Sequence, residues 1–466
     1  MSIAPPPTPS SSPFLQGLLA PVFDERDDRE LTVTGELPAG LQGMFVRNGP
    51  NPQFTPRTKY HPFDGDGMVH AVYFEDGKAR YRNRWVESRG LLAERKRGES
   101  LYGGLGEFVV PDADVVAEGG FMKNTSNTHT VRHAGKILAL MEACPPTELT
   151  RELATVGEWD YDGKLQGAFT AHPKIDPNTG EMLFFGYSPF PPYLRYHVVS
   201  ADGELVHSTD IDLPNPVMMH DFVITDRWTI FLDSPAVFDA QSMMSGGPMM
   251  RWDPEAGTRI GVLPRFGDGA DIQWFEVDNQ YVVHFFNAWE DGDRIEVRAP
   301  RFEQMPGGFE FDDPKGREAP MPWRWSIDPT TGAVSDEQTD DRGGEFPRVN
   351  DDLAGRSTRY LYNCMARTWE FEFEFHGVVK YDTETGGAQE HFYGDSEVSG
   401  EHVFAPDPEG TAEDDGWLLS FVTDRATEQS DLVVLDAHDV TAEPIARVHI
   451  PRRVPIGFHA NWFPES

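Results

Sequence analysis

The chain has 466 residues, with 40 Lys and Arg against 77 Asp and Glu, a net charge of −37. So acidic a balance excludes a nucleic-acid backbone as partner, because phosphate binding needs a basic face, and excludes docking driven by attraction to anionic lipid. With 39% hydrophobic and 12% aromatic residues, the chain nevertheless holds enough apolar material for a large core and is not a disordered acidic tail. The cations are 31 Arg and 9 Lys, a Lys-poor pattern that either salt adaptation or a biased genome produces. Two cysteines, Cys144 and Cys364, cannot build a disulfide framework or a four-thiolate metal site.

Residues 1–13 (MSIAPPPTPSSSP) are rich in Pro and Ser and read as a disordered tail. No basic segment with an apolar run follows at the N-terminus, and no stretch reaches the roughly 20 apolar residues of a membrane span. A cytoplasmic protein is therefore expected. From 14 to 466 no linker, composition break or charge block divides the chain, which predicts one domain. Apolar runs of about five residues, at 137–141, 281–286 and 417–422, are bounded by Gly, Asp, Asn or Pro and read as strands. An Asp-x-x-[Ala/Thr]-Gly turn recurs at 176–180, 253–257, 328–332 and 382–386, with an acceptor side chain opening each turn and Gly where φ is expected to be positive. Recurrent hairpins with few helical patterns predict an all-β repeat architecture. A propeller is the closed form such hairpins favour, with insertions building over one face.

No phosphate-cradling Gly-Lys loop and no His-Glu-x-x-His helix is present. The glycine-rich YGGLG at 102–106 reads as a loop. Asp64-Gly-Asp66-Gly67 lacks the further acidic positions of a calcium loop and reads as a tight turn. Four of the 15 histidines sit in apolar or aromatic settings: His172 in FTAHPKID, His220 in VMMHDFV, His284 in YVVHFFNAW and His459 in IGFHANW. A buried neutral imidazole needs a hydrogen-bond partner or a metal, and spacing alone does not group the four. Glu142 in LALMEACPP, Glu345 in GGEFPRV and Glu401 in SGEHVFAP stand out among the carboxylates for their apolar neighbours. Taken alone, each histidine reads as a satisfied core or loop residue and each glutamate as a strand-edge or turn residue.

These segments, from about residue 31 to 462, resemble the carotenoid cleavage oxygenase family. The likeness rests on FVRNGPNP at 45–52, YHPFDGDGMVH at 60–70 and RNRW at 82–85, then AHPKIDP, MHDF, VHFFNAW, GEHVFAP, EDDGWLLSFV and FHANW in the family's order. The resemblance implies a seven-bladed β-propeller with loop and helix insertions forming a dome over the top face. It implies one ferrous iron per chain on the axis, held by His172, His220, His284 and His459, with Glu142, Glu345 and Glu401 each accepting the outward N–H of a ligand imidazole. His61 and His70 lie in the opening signature and are not implied as ligands. The implied reaction is cleavage of a conjugated C=C bond by O2 into two carbonyl products.

For the substrate tunnel the reading names Phe190, Tyr193, Phe238, Met243, Met244, Met249 and Met250, since methionines adapt to a polyene. The segment 236–250 is also read as an exposed apolar patch for peripheral membrane contact. Relatives that cleave stilbenes carry a lysine beside the first glutamate, whereas Glu142 is flanked by Met141 and Ala143. A carotenoid or apocarotenoid is therefore expected, with a stilbene or phenylpropanoid as the alternative. Retinyl-ester isomerisation and a non-enzymatic binding platform are the remaining readings.

Overall fold

The middle strands read as unbroken apolar runs because both of their faces are covered. Met182–Tyr187 (MLFFGY) is buried along nearly its whole length, whereas Leu205–Ile211 (LVHSTDI), two strands further out in the same sheet, alternates between half-buried and exposed. The first pattern belongs to a sheet flanked by others and the second to its rim. The computed structural model describes residues 12–105, 107, 109–245, 249–305, 319–366 and 374–465, except the side chains of Met243 and Met244. Of the expected tail, residues 1–11 lie outside the described residues, and Pro13 already belongs to a 3₁₀ turn, Pro13–Leu15.

Seven antiparallel sheets of four to six strands follow one another, with one two-stranded ribbon, Ala236–Phe238 with Met250–Trp252. They are the blades of a seven-bladed β-propeller, as expected. The core is partitioned between blades. Leu183, Phe185, Tyr196 and Val198 of the third blade meet Phe222, Ile224, Phe231 and Leu263 of the fourth. Val223, Ile230 and Val262 of the fourth then meet Val297, Trp325 and Ile327 of the fifth. Phe185 is fully buried, with its ring edge-on to Phe222 at 5.2 Å. Truncating Phe185 to Ala should cost about 3–5 kcal/mol, read as a lower denaturant midpoint.

The ring is closed twice. Val33–Gly35, early in the chain, pairs with Ala446–Ile450 of the last blade, and Ala460–Pro464, late in the chain, pairs with Gly43–Arg47 of the first. Three of the four Asp-x-x-x-Gly turns form as expected. The carboxylates of Asp176, Asp328 and Asp382 accept the N–H groups two and three residues on. The closing glycines take φ of 70°, 78° and 70°, a region closed to most side chains. At Asp253 the turn instead becomes a 3₁₀ helix, Pro254–Ala256, with no side-chain cap.

Helices are few. Arg89–Arg97 is capped by the Ser88 hydroxyl, which accepts the Leu91 N–H at 3.3 Å, and ends at Gly98 with φ of 79°. It packs against a second helix, Ala113–Gly119. Both are inserted between the first two blades, beside the cavity described below.

Candidate metal centre

In four blades the chain enters an edge strand just after a histidine. His172 precedes Lys174–Ile175, His220 precedes Val223–Ile224, His284 precedes Asn287–Asp291 and His459 precedes Ala460–Pro464. The other three blades each send a glutamate: Glu142 follows Lys136–Leu140, Glu345 lies in Gly344–Arg348, and Glu401 stands between Glu397–Ser399 and Val403–Pro406. Each blade thus contributes one residue at the same end of the axis.

The four histidines are buried, and their ligand nitrogens all lie within 4.8 Å of one another. His220 Nε2 is 3.0 Å from His172 Nε2 and 3.1 Å from His284 Nε2. The rings meet edge to face, at 89° for His172 with His459 and 77° for His284 with His459. Outward nitrogens meet the carboxylates. His284 Nδ1 is 2.7 Å from Glu345 Oε2, His459 Nδ1 is 3.3 Å from Glu401 Oε1, and His220 Nδ1 is at ion-pair distance, 2.6 Å, from Glu142 Oε1. His172 has no carboxylate partner among the described residues.

This arrangement determines the tautomers. A ring that donates Nδ1–H to a carboxylate presents Nε2 as a bare lone pair. Lone pairs about 3 Å apart repel unless a cation lies among them. With metal–nitrogen bonds of about 2.1 Å, right-angled neighbours stand about 3.0 Å apart and tetrahedral ones about 3.4 Å. The observed 3.0 and 3.1 Å are in the range at which one ion could be held by both nitrogens of each pair. Four neutral imidazoles could hold such an ion without reducing its charge.

Burial is the main electrostatic influence here. It holds His172 and His284 well below the ordinary histidine value, keeping their lone pairs available. Burial acts the same way on His220, but Glu142 outweighs it and the value rises. Burial pushes Glu345 up to about 8. It also opposes ionisation of Glu401, which His459 and Arg348 nonetheless hold down to about 2. A second group, Asp414, Asp415 and His438, also converges. There Lys380 Nζ lies 2.6 Å from Asp414 Oδ2 and donates to the Ala437 carbonyl, so an ammonium already supplies the positive charge.

A cavity of about 700 Å³ runs beside the cluster, passing Glu142 and Thr128. Its lining includes an apolar group, Met141, Tyr187, Met218, Phe238, Met249 and Met250, and a group with charged side chains, Phe54, Tyr60, Asp66, Glu94 and Lys123.

The family model for Retinal pigment epithelial membrane protein matches residues 19–464. The Carotenoid 9,10(9′,10′)-cleavage dioxygenase of Crocus sativus is 37% identical over 493 residues, covering 97% of this chain and 89% of that one. The chain belongs to the carotenoid cleavage oxygenase family. The isoeugenol monooxygenase of Pseudomonas nitroreducens is 34% identical, with 98% of each chain covered. The crystal structure of Pseudomonas brassicacearum lignostilbene dioxygenase superposes with a TM-score of 0.90 at 32% identity, covering 98% of this chain and 99% of that one. This membership makes the protein an enzyme, an oxygenase, rather than a passive propeller platform.

In this oxygenase Phe190, Phe238, Met249 and Met250 line the cavity. Tyr193 is not among its lining residues; it packs against the core between the third and fourth blades. The side chains of Met243 and Met244 lie outside the described residues. Within the segment 236–250, Ala236, Val237 and Met250 are buried, because the ribbon pairs on itself and packs against Tyr281 and Phe302; residues 246–248 lie outside the described residues. The exposed apolar residues at the cavity are Phe121, Met122 and Phe190, at 52%, 49% and 59% exposure.

His61 and His70 stand apart from the cluster. His61 caps the turn Pro62–Asp64, and His70 Nδ1 is 2.7 Å from the Tyr81 hydroxyl. Several residues at the site escaped the sequence reading. The Tyr187 hydroxyl donates to Glu142 Oε2 at 2.5 Å, and its ring stacks on Phe238. His129 Nδ1 donates to the Ala171 carbonyl at 2.9 Å, with its ring 5.3 Å from that of His459. Tyr187 follows the strand run MLFFG, a usable signal; His129, in the polar run SNTHT, gives none.

Proposed function

We propose that this oxygenase uses one ferrous ion per chain, held by His172, His220, His284 and His459, to cleave a conjugated C=C bond of a carotenoid or apocarotenoid with O2. The observation that carries the reading is the convergence of four imidazole nitrogens, three of whose rings turn their outward Nδ1 to a glutamate. Bound there, ferrous iron would supply the one-electron chemistry that lets dioxygen react with a double bond.

The chain's own residues position and exclude. Glu142, Glu345 and Glu401 hold the rings in one tautomer and orientation. Tyr187 holds Glu142 in turn and walls the cavity with Phe238. The two oxygen atoms of O2 become the two carbonyl oxygens, so no side chain has to deliver or remove a proton.

The substrate assignment rests on Met141 standing beside Glu142, where no lysine is available, and on the flexible apolar lining formed with Met218, Met249 and Met250. The relatives named for isoeugenol and lignostilbene support a second reading, a phenylpropanoid. The chain would be loaded anaerobically with Fe(II), then given an apocarotenal and a hydroxystilbene together under air, with products identified by mass spectrometry. Polyene aldehydes alone are expected. Cleavage of the stilbene alone would establish the second reading, and cleavage of neither by the iron-loaded chain would overturn both.

No described helix is long and apolar enough to cross a membrane. Phe121, Met122 and Phe190 at the cavity support peripheral contact by a cytoplasmic protein, through which a lipid-soluble substrate enters. With a charge of −37 the contact would be hydrophobic. Flotation with neutral liposomes should persist at high salt and weaken in a Phe121→Ser/Phe190→Ser variant; absence of binding at high salt overturns it.

A further inference from the structure

The cavity lining has a charged part as well as an apolar one, and the charged part is built. Lys123 Nζ lies 2.6 Å from both Asp66 Oδ1 and Glu94 Oε2. The two carboxylates are themselves anchored. Asp66 Oδ2 accepts the Gln53 N–H at 3.0 Å, and Glu94 Oε1 accepts the Leu101 N–H at 2.9 Å and lies 3.3 Å from the Ser100 hydroxyl. Asp66 and Glu94 are 3% and 1% exposed, so the group is fixed by its surroundings rather than by solvent. The carboxylates hold Lys123 above the ordinary lysine value against burial, which works the other way.

An ammonium has three N–H donors. Glu94 accepts from one and Asp66 lies at ion-pair distance, and no further acceptor meets Lys123 among the described residues. Thr125 lines the same cavity, and its hydroxyl, buried and without a hydrogen-bond partner, is a second uncommitted polar group. Leaving such groups unpaired costs free energy, and an oxygen function bound in this part of the cavity would give Lys123 an acceptor and bring a partner towards the Thr125 hydroxyl. Folding alone does not explain the arrangement, since apolar residues of similar volume would stabilise this wall as well as a buried ion pair does.

We propose that Lys123, held between Asp66 and Glu94, forms with Thr125 a polar subsite that binds an oxygen function at one end of the substrate and so sets which end enters the cavity first. The proposal rests on the reading of this cavity as the substrate site. Three sources share that chemistry: a hydroxyl on a terminal ring, the terminal carbonyl of an apocarotenal, and a phenol. Lys123 and Thr125 act on affinity and orientation and are specificity residues rather than catalytic ones.

Affinities would be measured by quenching of tryptophan fluorescence, using the full chain as isolated, under argon so that oxygen-dependent turnover does not intervene. The probes are an apocarotenal bearing a ring hydroxyl, the same apocarotenal without it, the matching hydrocarbon polyene, and a hydroxystilbene. Thr125→Val replaces the hydroxyl by a methyl of similar size. The triple variant Asp66→Asn/Glu94→Gln/Lys123→Met removes the ammonium without stranding two buried carboxylates.

Each variant is expected to raise Kd for the recognised probe by about tenfold, the loss of one charge-assisted or otherwise unsatisfiable hydrogen bond, and to leave the hydrocarbon unchanged. Loss for the ring-hydroxylated probe alone identifies the ring hydroxyl, loss for both apocarotenals the carbonyl, and loss for the stilbene alone the phenol. Equal Kd values in wild type and Thr125→Val for every oxygenated probe overturn the proposal, whether or not the triple variant folds. Because binding is read without cleavage, failure of the iron-loaded chain to cleave any polyene would refute the functional reading while these affinities decide the subsite.

Discussion

A chain carrying His284→Ala is expected to lose turnover and to retain no stoichiometric metal. His284 Nε2 lies 3.1 Å from His220 Nε2, at the centre of four lone pairs that no other described residue can replace. The nearest spare imidazole, His129, has Nδ1 committed to the Ala171 carbonyl and is outside the four-nitrogen group. The substitution also leaves Glu345 without its imidazole partner in a site where burial already pushes that carboxyl up to about 8, so it should be neutral at physiological pH. Metal analysis beside product assay tests this, with circular dichroism to establish that the propeller has folded. Full turnover in this variant would remove His284 from the ligand set.

The second large effect belongs to Glu345→Gln. The amide can still accept a hydrogen bond from His284 Nδ1, now 2.7 Å from Oε2, but unlike the carboxyl it cannot ionise to raise the basicity of the ring. Loss of such an outer partner typically weakens metal affinity by about 10–100-fold, measured as the chelator concentration that strips half the metal. Glu401→Gln should also weaken retention, and it leaves Arg348, 3.8 Å away, without that counter-charge. Protons compete with metal for the same nitrogens. His220 is the ligand whose value is raised, by Glu142, so it takes a proton first. Metal loading should therefore fall as pH is lowered, and Glu142→Gln should move that fall to lower pH even as it weakens binding.

Much of the fold was legible because its signals are local. Runs such as MLFFGY show strands buried on both faces, and three of the four aspartate turns form with the carboxylate bonding the sequence suggests. Grouping the histidines was not legible from spacing. His172 and His220 are 48 residues apart and His220 and His284 are 64 apart, and only the angular repeat of the blades brings their ends together. Resemblance to a family supplied that grouping, and the four nitrogens then lie within reach of one ion.

The misses share a different cause. Asp66, Glu94 and Lys123 look like ordinary surface charges in sequence, and only the insertion of a helix pair over the first blades buries them together. Tyr193 was placed at the tunnel by composition, which says nothing about which side of a strand end faces the core. The strands that close the ring were invisible for a simpler reason. Val33–Gly35 is three residues long, too short to carry a period.

That closure has a consequence for how the protein comes into being. Ala460–Pro464, which completes the first blade, is the last strand in chain order, and His459 immediately precedes it. Six blades' worth of hairpins can pair as the ribosome delivers them, because each uses neighbours already made. The axial pocket cannot acquire its fourth imidazole until this closing strand has been synthesised and has found Gly43–Arg47. The metal site therefore cannot exist until residues 459–464 have been delivered, so a half-made chain offers no complete four-histidine site in which a redox-active ion could be trapped and react with oxygen out of control.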